Sequence, residues 1–259
     1  MLLLGSCSSE PPVPKTSPQP PLTKPQRSQE PMRGVWLATV SRLDWPPISS
    51  VNGSSSAIRI SQQKKALTDK LDNLKRLGIN TVFFQVKPDA TALWQSKILP
   101  WSDTLTGKIG EDPGYDPLQF MLDEAHKRGM KVILDGVFNH CGSFNKWLDR
   151  ERIYEAGKGY EPGAYVAQDS PYHTFFKFYN EHNWPYNEFY DGWWGHDTLP
   201  KLNYEGSEKL MEDIMRIGAK WVSPPFNADG WRLDVAADLG HSPEFNHKFW
   251  KEFRRVVKE

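Results

Sequence analysis

Four short apolar runs, each followed by a segment with helical periodicity, constrain this chain more than any other feature. The apolar runs cover residues 34–40, 79–86, 131–137 and 229–235. The helical patterns cover residues 60–77, 117–128, 205–217 and 243–257. Strands that are buried on both faces and alternate with helices form parallel sheets with right-handed crossovers. We therefore predict an α/β fold with strand order 1-2-3-4, a partial TIM (β/α) barrel of four βα units.

The balanced charge argues against several kinds of partner. The 259 residues contain 32 Lys and Arg and 32 Asp and Glu, which gives a formal net charge of zero. A chain without a basic field is not drawn to nucleic acid or to an anionic membrane surface. The 11 Trp and 9 Tyr residues are unusual, because many of them lie in polar segments rich in Gly and Pro. Their rings either stack on sugars or fill the barrel and its helical layer.

The first 32 residues differ in composition from the rest of the chain. Residues 8–32 are rich in Pro and polar residues, which predicts an extended linker. The preceding Leu4-Gly5-Ser6-Cys7 resembles a bacterial lipoprotein box, in which the cysteine carries the lipid. If Cys7 is processed, we expect a location in the bacterial cell envelope, with the membrane reached only through that lipid. Otherwise we expect a cytoplasmic protein whose tail carries an incidental cysteine.

A long segment separates the third strand from the helix that follows it. Residues 141–203 are rich in aromatic residues and glycine and are far longer than an ordinary βα loop. We predict that they form an inserted subdomain within a partial barrel that spans residues 33–259. The chain has only two cysteines, Cys7 and Cys141, so no disulfide framework is expected.

Polar motifs lie at the ends of the third and fourth apolar runs. They are Asp135-Gly136-Val137-Phe138-Asn139-His140 and Gly230-Trp231-Arg232-Leu233-Asp234. Because side chains alternate along a strand, Arg232 and Asp234 lie on the same face. A guanidinium beside a carboxylate favours the ionised form, which suits a nucleophile or an oxocarbenium-stabilising group in sugar chemistry. The alternative is a structural ion pair at the end of a strand.

With these motifs in this order, residues 132–259 resemble the α-amylase family, glycoside hydrolase family 13, in its neopullulanase-like branch. The segment Leu199-Pro200-Lys201-Leu202-Asn203 adds to the resemblance. Members of that family act on α-glucans, with retention of configuration, on a (β/α) barrel. The resemblance implies that Asp234 is the catalytic nucleophile and that Arg232 orients it.

The same resemblance implies a set of substrate-binding residues. Besides Arg232, they are Asp135, His140, His241, Trp193 and Trp194. Plainer alternatives are a satisfied core histidine at position 140, surface decoration at position 241, and packing of the insert by the two tryptophans. No cofactor is required, but calcium is possible at Asn139. The asparagine at this motif position helps to hold the inserted loop in the family, sometimes through a calcium ion. A single side-chain oxygen is far from the about six to eight oxygens that calcium takes.

The first part of the chain, residues 32–132, resembles a different family. The stretches Met32 to Val40, Phe84 to Asp89 and Gly114 to Leu118 look like the family-10-like bacterial lipoprotein glycosidases. That family acts on peptidoglycan glycan strands, also on a (β/α) barrel. Both families place the third strand after the same kind of helix end, so a join near Lys131 falls at the same structural point in each. Natural recombination, an engineered chimera and an assembly artefact all fit such a join.

Three functions follow from these resemblances. The first is a retaining α-glucan hydrolase with impaired activity, because in the α-amylase family the general acid is a glutamate on the fifth strand and this chain supplies four strands. The second is a non-catalytic carbohydrate-binding or structural half-barrel, which could form homo-oligomers through its open sheet edges. The third is a glycosidase that acts on peptidoglycan glycan strands. The expected partner is an oligosaccharide or polysaccharide.

Overall fold

The computed structural model describes residues 30–52, 55–88, 91–97, 99–154 and 159–259. The elements below all belong to one compact unit, Met32–Glu259. The lipoprotein-like segment with Cys7 and nearly all of the linker lie outside the described residues. Among the helices that the structure describes, none is long and apolar enough to cross a membrane.

The described chain contains a four-stranded parallel sheet in the order β1-β2-β3-β4. The strands are β1 Gly34–Leu37, β2 Thr81–Phe84, β3 Lys131–Val137 and β4 Gly230–Asp234. Gly34 of β1 pairs with Thr81 of β2, and Asp135 of β3 pairs with Arg232 of β4. The predicted order and direction of the strands are confirmed. β1, β2 and β4 are shorter than the apolar runs predict.

Helices follow each strand. They are α1 Ile48–Val51, α2 Ser56–Arg76, α3 Asp103–Thr106, α4 Pro117–Lys127, α5 Glu208–Val222 and α6 Pro243–Lys258. Each of the longer helices begins after a residue whose side-chain oxygen accepts a backbone N–H bond from the first turn, namely Ser55, Asp116, Ser207 and Ser242. Such caps fix the start of a helix. The short helices α1 and α3 lie in βα loops and have no counterpart in the sequence pattern.

Helix α5 corrects one prediction. The helical pattern ends at Ile217 with Gly218 as the terminating residue, whereas the helix continues to Val222. Inside the helix, Gly218 faces Phe253 of α6, and an added Cβ would come within 2.5 Å of that ring. This glycine therefore allows α5 to pack closely on α6 instead of ending the helix.

Outward-facing strand residues and apolar helix faces form two core clusters. The first packs β1, β2 and β3 against α2 and α4 and is mostly aliphatic, with Leu37, Val82, Leu134, Leu71 and Leu122 among its buried members. The second packs α5 and α6 against the segment 141–203 and is mostly aromatic, with Phe138, Phe175, Tyr204, Phe249 and Phe253 among its buried members. Trp231 of β4 packs against both clusters and connects them.

The segment 141–203 is built from turns and isolated bridges in its described part. It contains 3-10 turns at His173–Phe175 and Trp193–Gly195, and a bridge pairs Phe178 with Tyr190. A further bridge pairs His140 with Lys201 and so brings the two ends of the segment together after β3. The segment therefore returns to the C-terminal edge of the sheet, where the polar motifs lie.

Candidate active site

An arginine between two carboxylates marks the ends of β3 and β4. Nη1 of Arg232 lies 2.9 Å from Oδ1 of Asp135 and 2.6 Å from Oδ1 of Asp234. We call these three residues the triad. The register brings them together, because Asp135 pairs with Arg232, and alternation along β4 places Asp234 on the same face as Arg232. The expected ion pair is present at the C-terminal strand ends, where βα loops build the active sites of barrels.

The contacts within the triad stabilise the charge of the guanidinium. The hydrogen bond to Asp135, together with the charges of Asp135 and Asp234, raises the pKa of Arg232 against a smaller opposing effect of burial. The side chains of the triad are between 23% and 38% exposed, so a ligand can reach them. A carboxylate held by a permanent cation and open to a ligand is suited to nucleophilic attack.

His140 follows β3 and stacks on a tryptophan of the segment 141–203. Its ring lies 5.1 Å from the ring of Trp193, at 11° from parallel. Burial lowers the pKa of His140, and the charge of Asp234 partly opposes this shift. The neutral imidazole is therefore the favoured form near neutral pH, and it can exchange hydrogen bonds with sugar hydroxyls.

Asn139 is buried next to His140. It is 1% exposed, its backbone oxygen accepts the N–H of Leu202 at 3.0 Å, and its Nδ2 lies 3.1 Å from Nδ1 of His140. Its Oδ1 is buried without a hydrogen-bond partner. One such oxygen does not make a calcium site, which takes about six to eight. The described residues also contain no group of three or more His, Cys, Asp or Glu side chains that could hold a metal ion. Calcium at Asn139 stays a prediction, and no step of a reaction is assigned to it.

An open cavity of about 750 Å³ lies between the segment 191–201 and the chain that follows β4. Trp193 and Trp194 line it, and Nε1 of Trp193 donates to Oδ2 of Asp238 at 3.4 Å. Trp194 is 79% exposed and has a left-handed backbone conformation with a φ of 51°. Such a conformation is rare for a bulky residue, and strain of this kind concentrates at binding sites. The exposed indole offers an open face for a sugar ring.

His241 also lines this cavity and is fixed by two acidic side chains. Its Nδ1 lies 2.5 Å from Oε2 of Glu205, and its Nε2 lies 3.4 Å from Oδ2 of Asp191. Its backbone N–H donates to Glu205 as well. The sequence pattern singles out His241 but not Asp191, although Asp191 directly precedes the Gly192-Trp193-Trp194 stretch and could have been noticed there. The two carboxylates fix the orientation of the imidazole at the cavity wall.

In comparisons with known proteins, the first part of the chain is similar to the glycosyl hydrolase-like 10 proteins. The glycosyl hydrolase-like 10 family model matches residues 31–150. The glycosyl hydrolase DigH of Escherichia coli (strain K12) is 71% identical over 135 residues, which are 51% of this chain and 30% of DigH.

A second group aligns with a larger share of the chain. The amylopullulanase of Thermoanaerobacter thermohydrosulfuricus is 34% identical over 214 residues, which cover 74% of this chain and 13% of that protein. The structure of the type III pullulan hydrolase from Thermococcus kodakarensis superposes with a TM-score of 0.52 at 30% identity and covers 75% of this chain and 30% of that one. DigH matches 51% of this chain and the pullulan hydrolase matches 75% of it. Because these two shares add up to more than the whole chain, some residues align with both groups.

This chain spans less than a third of the length of each of these relatives. The comparisons agree with the fold and with the polar motifs in showing a glycoside hydrolase-like protein. The chain thus joins a first part that resembles the glycosyl hydrolase-like 10 family to a second part that resembles the α-amylase family, glycoside hydrolase family 13, on a partial TIM barrel.

Proposed function

We propose that this chain carries the nucleophile side of a retaining α-glucan hydrolase of the α-amylase type. The proposal rests on the 2.6 Å contact between Arg232 and Asp234. This contact presents an oriented and partly exposed carboxylate at the end of a barrel strand. The chain that follows it, from Ala236 onward, lines a cavity with an exposed tryptophan, although the triad itself does not line that cavity. The amylopullulanase and the pullulan hydrolase are α-glucan enzymes, which favours an α-glucan as the substrate here.

The residues of the triad and their neighbours have separate roles in such a reaction. The carboxylate of Asp234 attacks the anomeric carbon of a glucosyl unit while the bond to the leaving oxygen breaks. A glycosyl ester forms on Asp234, and water then hydrolyses it with return to the original configuration. Arg232 orients the carboxylate of Asp234 toward the anomeric carbon. The neutral imidazole of His140 contacts the sugar, and Trp194 stacks on a further glucose ring.

The leaving oxygen also needs a proton donor, which the triad does not supply. Asp135 is bound to Arg232, Glu205 is bound to His241, and Glu188 is exposed. General-acid assistance contributes about 10² to 10⁴ in rate. We therefore propose that the 259-residue chain hydrolyses maltooligosaccharides slowly. A substrate with a better leaving group needs less assistance and should react relatively faster.

Hydrolysis of α-glucosyl fluoride tests this function, because fluoride leaves without a strong acid. We expect the parent chain to release fluoride and Asp234→Asn to lose on the order of 10⁴-fold or more in rate, as expected for loss of a nucleophile. The matched control is Asp69→Asn, which removes an exposed carboxylate of α2 that is bound to Lys65, and it should react like the parent. Equal fluoride release by the parent and Asp234→Asn would contradict the assignment.

The exposed Trp194 and the open cavity favour a second candidate, a carbohydrate-binding half-barrel without turnover. Calorimetric titration with maltoheptaose separates the two. Binding that persists in Asp234→Asn and that no hydrolysis accompanies would support the binding function. Peptide-free peptidoglycan glycan strands belong in the same assays, because the first part of the chain resembles enzymes that act on them. Hydrolysis of those strands alone would support the third function.

We propose a cell-envelope location with a lipid on Cys7, and metabolic labelling with a radioactive fatty acid that Cys7→Ser abolishes would support it.

β1 and β4 are the edges of the described sheet, so we also propose self-association through these edges. Light scattering of the purified chain over a range of concentrations measures it, and a monomer at every concentration would contradict it.

A further inference from the structure

A tryptophan from β1 lies against the arginine of the triad. The Cζ atom of Arg232 is 5.4 Å from the ring centroid of Trp36, which is the arrangement of a cation–π contact. Trp36 points to the inner face of the sheet, since its neighbours Val35 and Leu37 pack in the first core cluster on the outer face. The contact therefore connects β1 to β4 across the inner face of the partial barrel.

Trp36 is itself held in place by β2. Its ring stacks on Phe83 at 8° from parallel with the centroids 5.8 Å apart, and the two residues are opposite each other in β1 and β2. Gly34 makes room for Phe83, because a Cβ at position 34 would come within 2.6 Å of the ring. Trp36 nevertheless stays 41% exposed, so much of its surface takes no part in core packing. It can therefore support another side chain without disturbing the core.

Arg232 requires such support to hold a single geometry. One nitrogen, Nη1, donates to Asp135 and also lies within ion-pair distance of Asp234, so a small rotation of the guanidinium shifts the contact from one carboxylate to the other. The side chain is also 38% exposed, and a long exposed side chain gives up rotamer freedom when it is fixed. A flat indole face restricts the planar guanidinium by stacking, which an aliphatic neighbour cannot do.

We propose that Trp36 is a positioning residue, whose indole face holds the guanidinium of Arg232 against Asp135 and Asp234 and thereby orients Asp234 for attack. This inference rests on the proposed function, in which Asp234 is the nucleophile. It also gives a residue of β1 a role in chemistry that the polar motifs place at the ends of β3 and β4.

Covalent labelling of the full chain with 5-fluoro-α-glucosyl fluoride measures this role. The carboxylate of Asp234 attacks the anomeric carbon, the carbon–fluorine bond breaks, and fluoride leaves with the bonding electrons. The ring fluorine slows hydrolysis of the glycosyl ester, so peptide mass spectrometry can locate the label. We expect Trp36→Leu to lower the labelling rate at saturating probe about 10- to 100-fold, because a misplacement of about 1 Å has an effect of that size. The probe concentration for half-saturation should change little, and Trp36→Phe, which keeps an aromatic face, should recover most of the rate.

A second measurement tests the contact without any reaction. The Nε–H resonance of Arg232 is identified by its loss in Arg232→Lys. In the parent, the ring current of the indole should shift this resonance upfield, and in Trp36→Leu it should move downfield. Thermal unfolding verifies that each variant is folded. If Trp36→Leu does not fold, Trp36→Met takes its place, because it keeps bulk against Phe83 without a ring face.

The outcomes separate this inference from the proposed function. Slower labelling of Asp234 together with a moved resonance supports the positioning role. An unchanged resonance, or unchanged labelling of a folded variant, overturns it. A parent chain that is never labelled overturns the proposed nucleophile and with it the positioning role. In that case, a resonance that still responds to Trp36 identifies the contact as purely structural.

Discussion

Two pairs of strand ends lie at the C-terminal edge of the sheet but differ in chemistry. One pair is the ends of β1 and β2, and the other is the ends of β3 and β4. After β1, the backbone N–H groups of Thr39 and Val40 both donate to Oε1 of Gln85 at 2.9 Å, and the Thr39 hydroxyl donates to the Gln85 backbone oxygen at 2.7 Å. β3 and β4 end instead in the charged, partly exposed triad. The Gln85 hydrogen bonds of the first pair are neutral and fix its own loop, whereas the second pair presents charges to a ligand.

The two core clusters show a related difference. The first cluster lies under regular strands and helices and is filled mainly by Leu, Val and Met. The second lies under the irregular segment 141–203, and its rings contact one another, as where Phe249 lies 4.8 Å from Tyr204 and 4.9 Å from Trp250 between centroids. Large rings bury much surface for each ordered residue. They can therefore anchor a segment that has few backbone pairs of its own, and this segment forms a wall of the cavity.

Replacing one fully buried residue in each cluster tests whether the two clusters unfold together. Phe249 is 0% exposed and Leu122 is 1% exposed. We expect Phe249→Ala to lower the free energy of unfolding by about 3–5 kcal/mol and Leu122→Ala to lower it by about 2–5 kcal/mol. Because Trp231 packs against both clusters, urea denaturation of either variant should show one transition by far- and near-ultraviolet circular dichroism. Two separate transitions in Phe249→Ala would show that the clusters fold independently.

The contrast between the strand ends predicts a large effect on stability at the first pair and a small one at the second. Gln85→Ala leaves the N–H groups of Thr39 and Val40 without their acceptor, and Thr39 is fully buried. We expect a loss of about 1–3 kcal/mol in the free energy of unfolding, the cost of an unsatisfied buried donor. Gln85→Glu keeps an acceptor and should lose less.

Asp234→Asn removes one partner of a partly exposed ion pair and leaves Arg232 bound to Asp135, so it should stay within about 0.5 kcal/mol of the parent. Urea denaturation of the three variants at one pH gives the comparison. A larger loss for Asp234→Asn than for Gln85→Ala would make the triad a structural feature rather than a site of chemistry.

Periodicity and strand alternation were sufficient to predict the sheet and the ion pair. The runs around Val82 and Leu134 predict buried parallel strands, and the spacing of two residues from Arg232 to Asp234 predicts a shared face. Both signals are local, because they depend only on the backbone geometry of one element.

Contacts that depend on tertiary packing could not be predicted in this way. Gly218 carries the same signal whether it ends a helix or allows close packing, and only the position of Phe253 distinguishes the two. The contact of Trp36 with Arg232 depends on how the sheet curves between β1 and β4. The binding of His241 to Glu205 and Asp191 likewise depends on the path of an irregular segment.

The pH dependence of stability tests the protonation state of His140, which follows β3 at the same edge of the sheet as the triad. Burial lowers the pKa of His140 in the folded chain, so the unfolded chain binds the proton more readily. Stability contributed by the neutral imidazole is therefore complete above the unfolded value of about 6.5 and is lost as pH falls below it, by at most about 1.4 kcal/mol per pH unit. Urea denaturation at pH values on either side of this range should show a smaller loss on acidification in His140→Gln than in the parent. His182→Gln, which replaces an exposed histidine, is the matched control and should keep the parental loss. If His140→Gln also keeps it, the imidazole titrates alike in both states, and the neutral form assigned to the sugar contact loses its support.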